Sequence, residues 1–321
     1  VGQAPEHASQ VRYEGGLRLG GRSLWIDPVE KKPFAILTSP LSAPLIAHER
    51  TVLHPATLEA HPRRRSHQAF LTADYGQRLL LGSVDLTLHP AGVCPGSAQV
   101  LVESEGPSLL YVGPFCPRSS RVTENFAPVR ADVLVVDLDH VAIEPQPARR
   151  EVVVARVLQR VRELVAHGKL PVLFVPPFGI PQELAMGRGP DDPPLFVHEA
   201  ILAGIAALKG AGHTVPEGLR PRKSSVLTAG HAVLLPEDEL RTFQRRDGWV
   251  SLGFGAMGPV DETFPRFSMA DPSDLAALVE AVAPREVVYL GSRVRAWALA
   301  VPRPEGVRVH LVEKEAQIGL L

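Results

Sequence analysis

The stretch HPAGVCPGSAQVLVESEGPSLLYVGPFCP, from His89 to Pro117, decides how the fold is read. Gly92 and the Gly96-Ser97 pair sit between two apolar runs, a spacing typical of a tight connection between strands. "SVDLTLHPA" enters this connection, "AQVLVES" leaves it, and "SLLYVGPF" follows an "EGP" turn, so three consecutive strands are predicted. The last of them ends at Gly113-Pro114.

Upstream the chain also reads as strands. "VRYEGGLRLGGRSLWIDP" has Gly-Gly turns between short alternating runs, a hairpin signal, and "PFAILTSP" is a proline-bounded buried strand. "TVLHPATLEAHPRRRS" predicts a strand, a short helix and a basic turn. Downstream, "ADVLVVDLD" is another buried strand, after which the periodicity changes. Val153, Val157, Val161, Leu164 and Val165 fall on one face of a helix with arginines opposite, and Gly168 is placed to cap it. "LPVLFVPP" then predicts a strand, "PLFVHEAILAGIAALKGAG" a helix and "SSVLTAG" a short strand. "MADPSDLAALVEAVAPREVVYLGS" predicts a helix capped by Asp271 or Ser273 and then a strand, and "VRVHLVEKE" a closing strand. "GRGPDDPPLF" is the candidate mobile surface loop. Strands first, then alternating helix and strand, imply layered sheets with helices outside.

Composition bounds the rest. The chain has 321 residues, 45% hydrophobic and 21% charged, with a formal net charge of −1. That balance suits an ordinary globular protein and excludes the global field of a polycationic binder, though not a local basic groove. No apolar run approaches a membrane span, and the first residues show no charged-then-apolar signal pattern. Cys94 and Cys116, the only cysteines, are too few for a disulfide scaffold and not spaced as zinc ligands. A reduced, cytoplasmic chain is expected. The two cysteines are expected on neighbouring strands, where a bridge is an option and buried free thiols the favoured one.

Several segments together carry a resemblance. "GGRSLWIDP", "FAILTSPLSAPL", "TVLHPATLEA", "LTLHPAGVCPGSAQVLVE", "LLYVGPF", "ADVLVVD" and "FSMADPSDLAALVEAVAPREVVYLG" occur in the order found in metallo-β-lactamase-fold nucleases. More narrowly, they resemble the ligase-associated DNA exonuclease group of the β-CASP branch. The resemblance runs from about Gly15 to about Ala298, and "HPAGVCPGSAQ" is its most specific piece. It implies an αββα sandwich of two sheets with helices outside, in an α/β chain. Residues 1–144 would form the first half, 145–263 a reduced β-CASP-type insertion, and 264–321 the second half.

The resemblance also shows what is missing. The family's metal-binding histidine and aspartate positions fall on Ser39, Leu41, Ala43, Pro44, Val93, Pro114, Met269 and Leu290. A two-metal phosphodiesterase needs clustered imidazoles and carboxylates to hold both cations and activate water. Leu, Ala, Val and Pro offer no donor, and Met only a weak thioether. Asp137 is the one ligand-type residue retained. Asp27, Gly92, Gly96, Ser97, Gly113 and Asp271 also persist, and in the family these serve mainly turns and loop architecture. The expectation is therefore a pseudonuclease with no catalytic residue, no metal and no cofactor.

The alternative is an active metal-dependent nuclease or hydrolase with a non-standard site around Asp137, drawing on Asp139, His140 and either Asp27 or Asp271. Capping and loop solvation are the plainer roles for these acids. His48, His54, His61, His67, His89, His198 and His231 show no ligand spacing. No Walker loop or Gly-x-Ser-x-Gly elbow occurs. Arg63, Arg64 and Arg65 in "HPRRRSH" are candidate nucleic-acid contacts, as are "RPRK" and "QRRDG", although aromatics are not interleaved with them. A family "Gly-Lys/Arg-x-Gln" stretch reads Gly179-Ile180-Pro181-Gln182 here and lacks its cation. The resemblance points to nucleic-acid processing, repair or defence. A protein partner, such as an active paralogue or a processing complex, is favoured over DNA or RNA, and no membrane is implied.

Overall fold

The structure, a computed structural model, describes residues 11–19, 23–41, 48–60, 69–147, 149–210, 212–215, 217–221, 230–255 and 258–314. It is a mixed α/β chain with strands in three sheets. Among the described residues no helix is long and apolar enough to cross a membrane.

The first sheet follows chain order: β1 (Val11–Tyr13), β2 (Leu17–Leu19), β3 (Trp25–Ile26), β4 (Phe34–Ile36), β5 (Arg50–Leu53) and β6 (Ala69–Thr72), with the short helix α1 (Pro55–Glu59) after β5. The Gly15-Gly16 turn makes β1 and β2 a hairpin, as the sequence predicts. The second sheet begins with the antiparallel strands β7 (Arg78–Leu81), β8 (Val84–Pro90), β9 (Ala98–Glu103) and β10 (Leu109–Val112), and β11 (Val133–Asp137) joins β10 in parallel.

The chain then leaves this sheet. It forms α2 (Arg150–Ala166), β12 (Leu170–Val175), α3 (Ile180–Gly187), β13 (Leu195–Val197), α4 (Glu199–Gly210), β14 (Leu219–Pro221), β15 (Ala232–Pro236), β16 (Trp249–Phe254) and β17 (Glu262–Phe264). These six strands make a wholly parallel sheet in the order β14-β13-β15-β12-β16-β17. After α5 (Pro272–Val282) the chain returns to the second sheet, where β18 (Glu286–Gly291) pairs in parallel with β11, and β19 (Arg308–Glu313) with β18.

Side-chain alternation explains the layering. On β11, Val133 and Val135 face a core shared with Ile26, Ile36 and Val52 of the first sheet. Leu134 and Val136 point the other way, onto Leu275, Leu278, Val279 and Val282 of α5. A strand buried on both faces reads as a continuous apolar run, and "VLVV" is one. α1 lies beside the outer face of the first sheet, where Leu58 packs on Ala35, Leu37 and Leu53. In the third sheet, α2, α3 and α4 cover one face. Leu240, Phe243 and Trp249 pack on the other.

Some expectations change. The "PLFV" predicted as the start of a helix is β13, and the helix begins at Glu199. A short apolar run after two prolines has strand length, and pairing with β14 and β15 decides it. "AVLLP", for which no element is predicted, is the fully buried β15. "IPQELAMG" is α3. The strand expected at "SSVLTAG" falls on residues outside the described ones, apart from Gly230. Val154 and Leu158 join the buried face of α2, while Val165 is only half-buried. The loop at "GRGPDDPP" is tied together by Arg188, whose guanidinium donates to the carbonyls of Asp192, Pro193 and Glu217. Both cysteines are free and buried, but neither lies on a strand: Cys94 sits between β8 and β9, and Cys116 past β10.

Candidate functional site: an apolar cleft at the strand ends

The β8–β9 connection builds one wall of the site. Gly92 and Gly96 have φ of 75° and 82°, the left-handed region that favours glycine. Each also lacks room for a side chain. A Cβ on Gly92 would lie 2.4 Å from the Cys116 carbonyl oxygen, and one on Gly96 2.4 Å from Thr57 Oγ1. Ser97 Oγ accepts from the backbone N–H of Val93 (3.0 Å) and Cys94 (3.2 Å) and donates to the Cys94 carbonyl (2.8 Å). The buried Arg150 at the start of α2 reaches back to the Gly92 and Val93 carbonyls and pairs with Glu183 of α3 at 3.1 Å. Glu183 also accepts from Ser120 Oγ at 2.6 Å. The loop is thus held from the side of the third sheet.

Between the second and third sheets lies a cleft of about 380 Å³. Its residues follow the C-terminal ends of parallel strands: Pro114 and Phe115 after β10, Asp139 and His140 after β11, Pro176 to Phe178 after β12, and Glu237 after β15. Open parallel sheets commonly place ligands at that edge. Leu41, Val93, Pro114 and Met269 all line it. Val93 and Leu41 pack with Ala60, Cys94, Cys116 and Phe178 as a small apolar core at its base. The cleft also carries Arg266, whose guanidinium pairs with Glu237 at 3.0 Å.

Other predicted positions lie elsewhere. Ser39 is buried behind the wall, with its Oγ 3.9 Å from Cys94 Sγ. Leu290 belongs to the core between the first and second sheets. Ala43, Pro44, Arg63, Arg64 and Arg65 lie outside the described residues. Asp27 accepts from Thr38 N (2.8 Å) and Thr38 Oγ1 (2.5 Å), and Gly113 packs against this pair. Asp271 caps α5, accepting from Ser273 N and Asp274 N, and forms an ion pair with Arg118 at 2.9 Å. Burial opposes ionisation of Asp271, but hydrogen bonds from Gln146, Ser273 and Asp274 and the Arg118 charge bring its carboxyl down to about 2.

Asp137 and Asp139 do come together, around a lysine. Lys314 Nζ lies 2.7 and 2.6 Å from the Asp137 oxygens and 3.0 Å from Asp139 Oδ2. Burial works to lower the Lys314 pKa, yet the two carboxylates outweigh it and hold it above its ordinary value. Asp137 also accepts from Asp139 N at 3.2 Å, and Asp139 from Ser292 N and Oγ. His140 Nε2 stands 3.8 Å from Asp137 Oδ2, and burial lowers its pKa. Asp27 and Asp271 have partners of their own, Thr38 and Arg118.

These residues do not fit a metal pair. Leu41, Val93, Pro114 and Met269 in the cleft offer no strong donor, and the acid at the end of β11 is already paired with an ammonium. Among the described residues no group of three or more His, Cys, Asp or Glu side chains is arranged to hold a metal ion.

Of the described basic positions, Arg220 is exposed on β14, and two others have local partners. Arg245 pairs with Asp261, and Arg246 lies over the Trp249 ring at 5.1 Å. Arg222 and Lys223 of "RPRK" lie outside the described residues. Gln182 is buried at the start of α3, where its side chain accepts from Gly179 N at 2.5 Å, so it serves as a cap.

No family model matches the chain. A "Probable DNA ligase" of Opitutus terrae is 26% identical over 339 residues, covering 97% of this chain and 32% of the ligase. The chain spans about a third of the length of that curated relative. A crystal structure of a protein of unknown function from Enterococcus faecalis aligns with a TM-score of 0.58 at 10% identity, over 88% of this chain and 79% of that one. That likeness is one of fold alone.

Sequence reasoning missed Lys314 and Arg150. Each partners residues far away in sequence, Lys314 at a separation of 177 and Arg150 at 57. No local pattern announces such pairs. The only available signal for Arg150 was its position next to the apolar face of a helix whose other arginines look outward.

Proposed function

We propose that this chain is a catalytically inactive homologue of metallo-β-lactamase-fold nucleases, serving as a binding subunit in nucleic-acid processing. Under this reading the first two sheets, with α1 and α5 outside, are the αββα sandwich. The excursion from α2 to β17 is the reduced β-CASP-type insertion. The match to about a third of a "Probable DNA ligase" supports DNA processing, and makes a DNA ligase chain the first protein partner to test.

The observation that carries the reading is the convergence of Leu41, Val93, Pro114 and Met269 on one cleft. Phosphodiester hydrolysis by a metal pair needs an activated water held between cations. Apolar side chains at the coordinating positions exchange coordination for packing, with roughly 1.5–3 kcal/mol gained per fully buried aliphatic side chain.

The test is elemental analysis together with a nuclease assay on the purified chain. We expect no stoichiometric zinc, manganese or iron, no change in thermal unfolding with chelator, and no cleavage of single- or double-stranded DNA or RNA above buffer. Two metals per chain, or cleavage that disappears in an Asp137→Asn variant, would overturn the reading in favour of an active site around Asp137.

A further inference from the structure

We propose that Lys314 is a built-in replacement for a divalent cation: its ammonium fills the cation position between Asp137 and Asp139 and keeps metal out. The inference rests on the non-catalytic reading and deepens it.

Three carboxylate oxygens from two residues converge on one nitrogen, at 2.6, 2.7 and 3.0 Å. The Lys314 side chain is 16% exposed and that of Asp137 5% exposed. Two carboxylates held this close at the end of a buried strand need a positive charge. A hard divalent cation is commonly bound by one or two carboxylates plus water, so this pair alone would provide enough protein ligands. His140 stands beside them, its Nε2 3.8 Å from Asp137 Oδ2.

The backbone sets where the lysine side chain begins. β19 pairs with β18 up to Gly291 and Glu313, and Lys314 N donates to the Gly291 carbonyl at 3.1 Å. The Tyr13 ring lies 5.8 Å from Nζ. With its Cα anchored by the strand and its Nζ held by both carboxylates, Lys314 occupies the cation position, and a cation would meet both its charge and its volume. Beside the lysine, the carboxylates also accept from Asp139 N, Tyr111 Oη and Ser292, neutral donors that leave the central position to a cation. The obstacle is the lysine.

The experiment compares the full parent chain with Lys314→Met, and with a Lys314→Met and Asp137→Asn double variant, in manganese or magnesium. The parent should bind neither metal and show no shift in unfolding temperature. Lys314→Met should unfold at a lower temperature, take up one cation per chain by titration calorimetry, and recover on the order of 5 °C at hundredfold excess over Kd. The double variant should fold without metal and show no such recovery. If Lys314→Met does not fold alone, refolding with manganese should rescue it. A Lys314→Met chain that neither binds nor is rescued by either metal, beside a metal-free parent, overturns the inference alone. A parent that itself holds metal or cleaves nucleic acid overturns the functional reading as well.

Discussion

Arg150 is the residue on which the signature loop depends. Its side chain and that of Glu183 are 1% and 3% exposed, and its other contacts are the Gly92 and Val93 carbonyls. Removing one partner of a buried pair leaves a charge without compensation, which costs about 3–5 kcal/mol. Arg150→Met should lower urea-unfolding stability by that amount. Arg150→Met combined with Glu183→Gln should lose clearly less than the sum of the two single changes, and simple additivity would show that the pair is not coupled. The two thiols give a second check at this scale. Burial pushes Cys94 up to about 12, with Ser39 and Arg150 only partly opposing. At pH 8 neither Cys94 nor Cys116 should react with a thiol reagent in the native chain, and both should react in denaturant. Rapid native labelling would contradict their burial. Gly92, Gly96 and Ser97 were legible in the sequence because their work is local: positive φ and a serine that bonds its own turn. Lys314 and Arg150 were not, because their partners arrive only with the tertiary fold.

Strands and helices with a full period were readable from sequence, and those settled by pairing were not. α2 and α5 show apolar stripes, and Asp271 before Pro272 is a capping signal that the structure realises. β13 and β15 are runs of three and five residues whose identity comes from parallel neighbours. The short α3 is likewise set by its packing between α2 and α4. Two predictions belong at this scale. Gly96→Ala combines a left-handed backbone with a Cβ 2.5 Å from Thr57 N, and should cost on the order of 3 kcal/mol in denaturant unfolding. Asp271 has a folded pKa below its unfolded one, so it contributes stability that is complete above the unfolded value and lost as pH falls through the folded value. The loss should span roughly pH 4 to pH 2. Asp271→Asn should flatten that part of the stability–pH curve, and an unchanged slope would assign acid unfolding to other groups.

For the whole molecule, what matters is that strand ends from two sheets meet over one cleft that carries little usable positive charge. The sequence indicated layered sheets and a change of periodicity after "ADVLVVDLD", and the family resemblance implied an insertion from residue 145. It could not show that residues 170 to 264 would form a separate parallel sheet facing the cleft, since most of those strands are short and buried. This arrangement bears on the choice between partners. Nucleic-acid affinity comes largely from Lys and Arg neutralising phosphates, and falls steeply with salt. Here Arg266 is paired with Glu237, Arg245 with Asp261, and Lys314 with two aspartates, in a chain of net charge −1. Protein association needs no such cation array, and an apolar cleft with a polar rim suits it. Fluorescence anisotropy with labelled single- and double-stranded oligonucleotides should therefore show only weak binding near physiological salt. Replacing Arg63, Arg64 and Arg65 with Ala should change it little. A DNA ligase chain from the same cell should instead co-purify as a defined complex that survives moderate salt, and Val93→Arg, which places a charge in the cleft, should weaken it if the cleft is the contact. Tight, salt-sensitive binding of DNA or RNA by the isolated chain, lost on removing those three arginines, would reverse the preference and make nucleic acid the ligand.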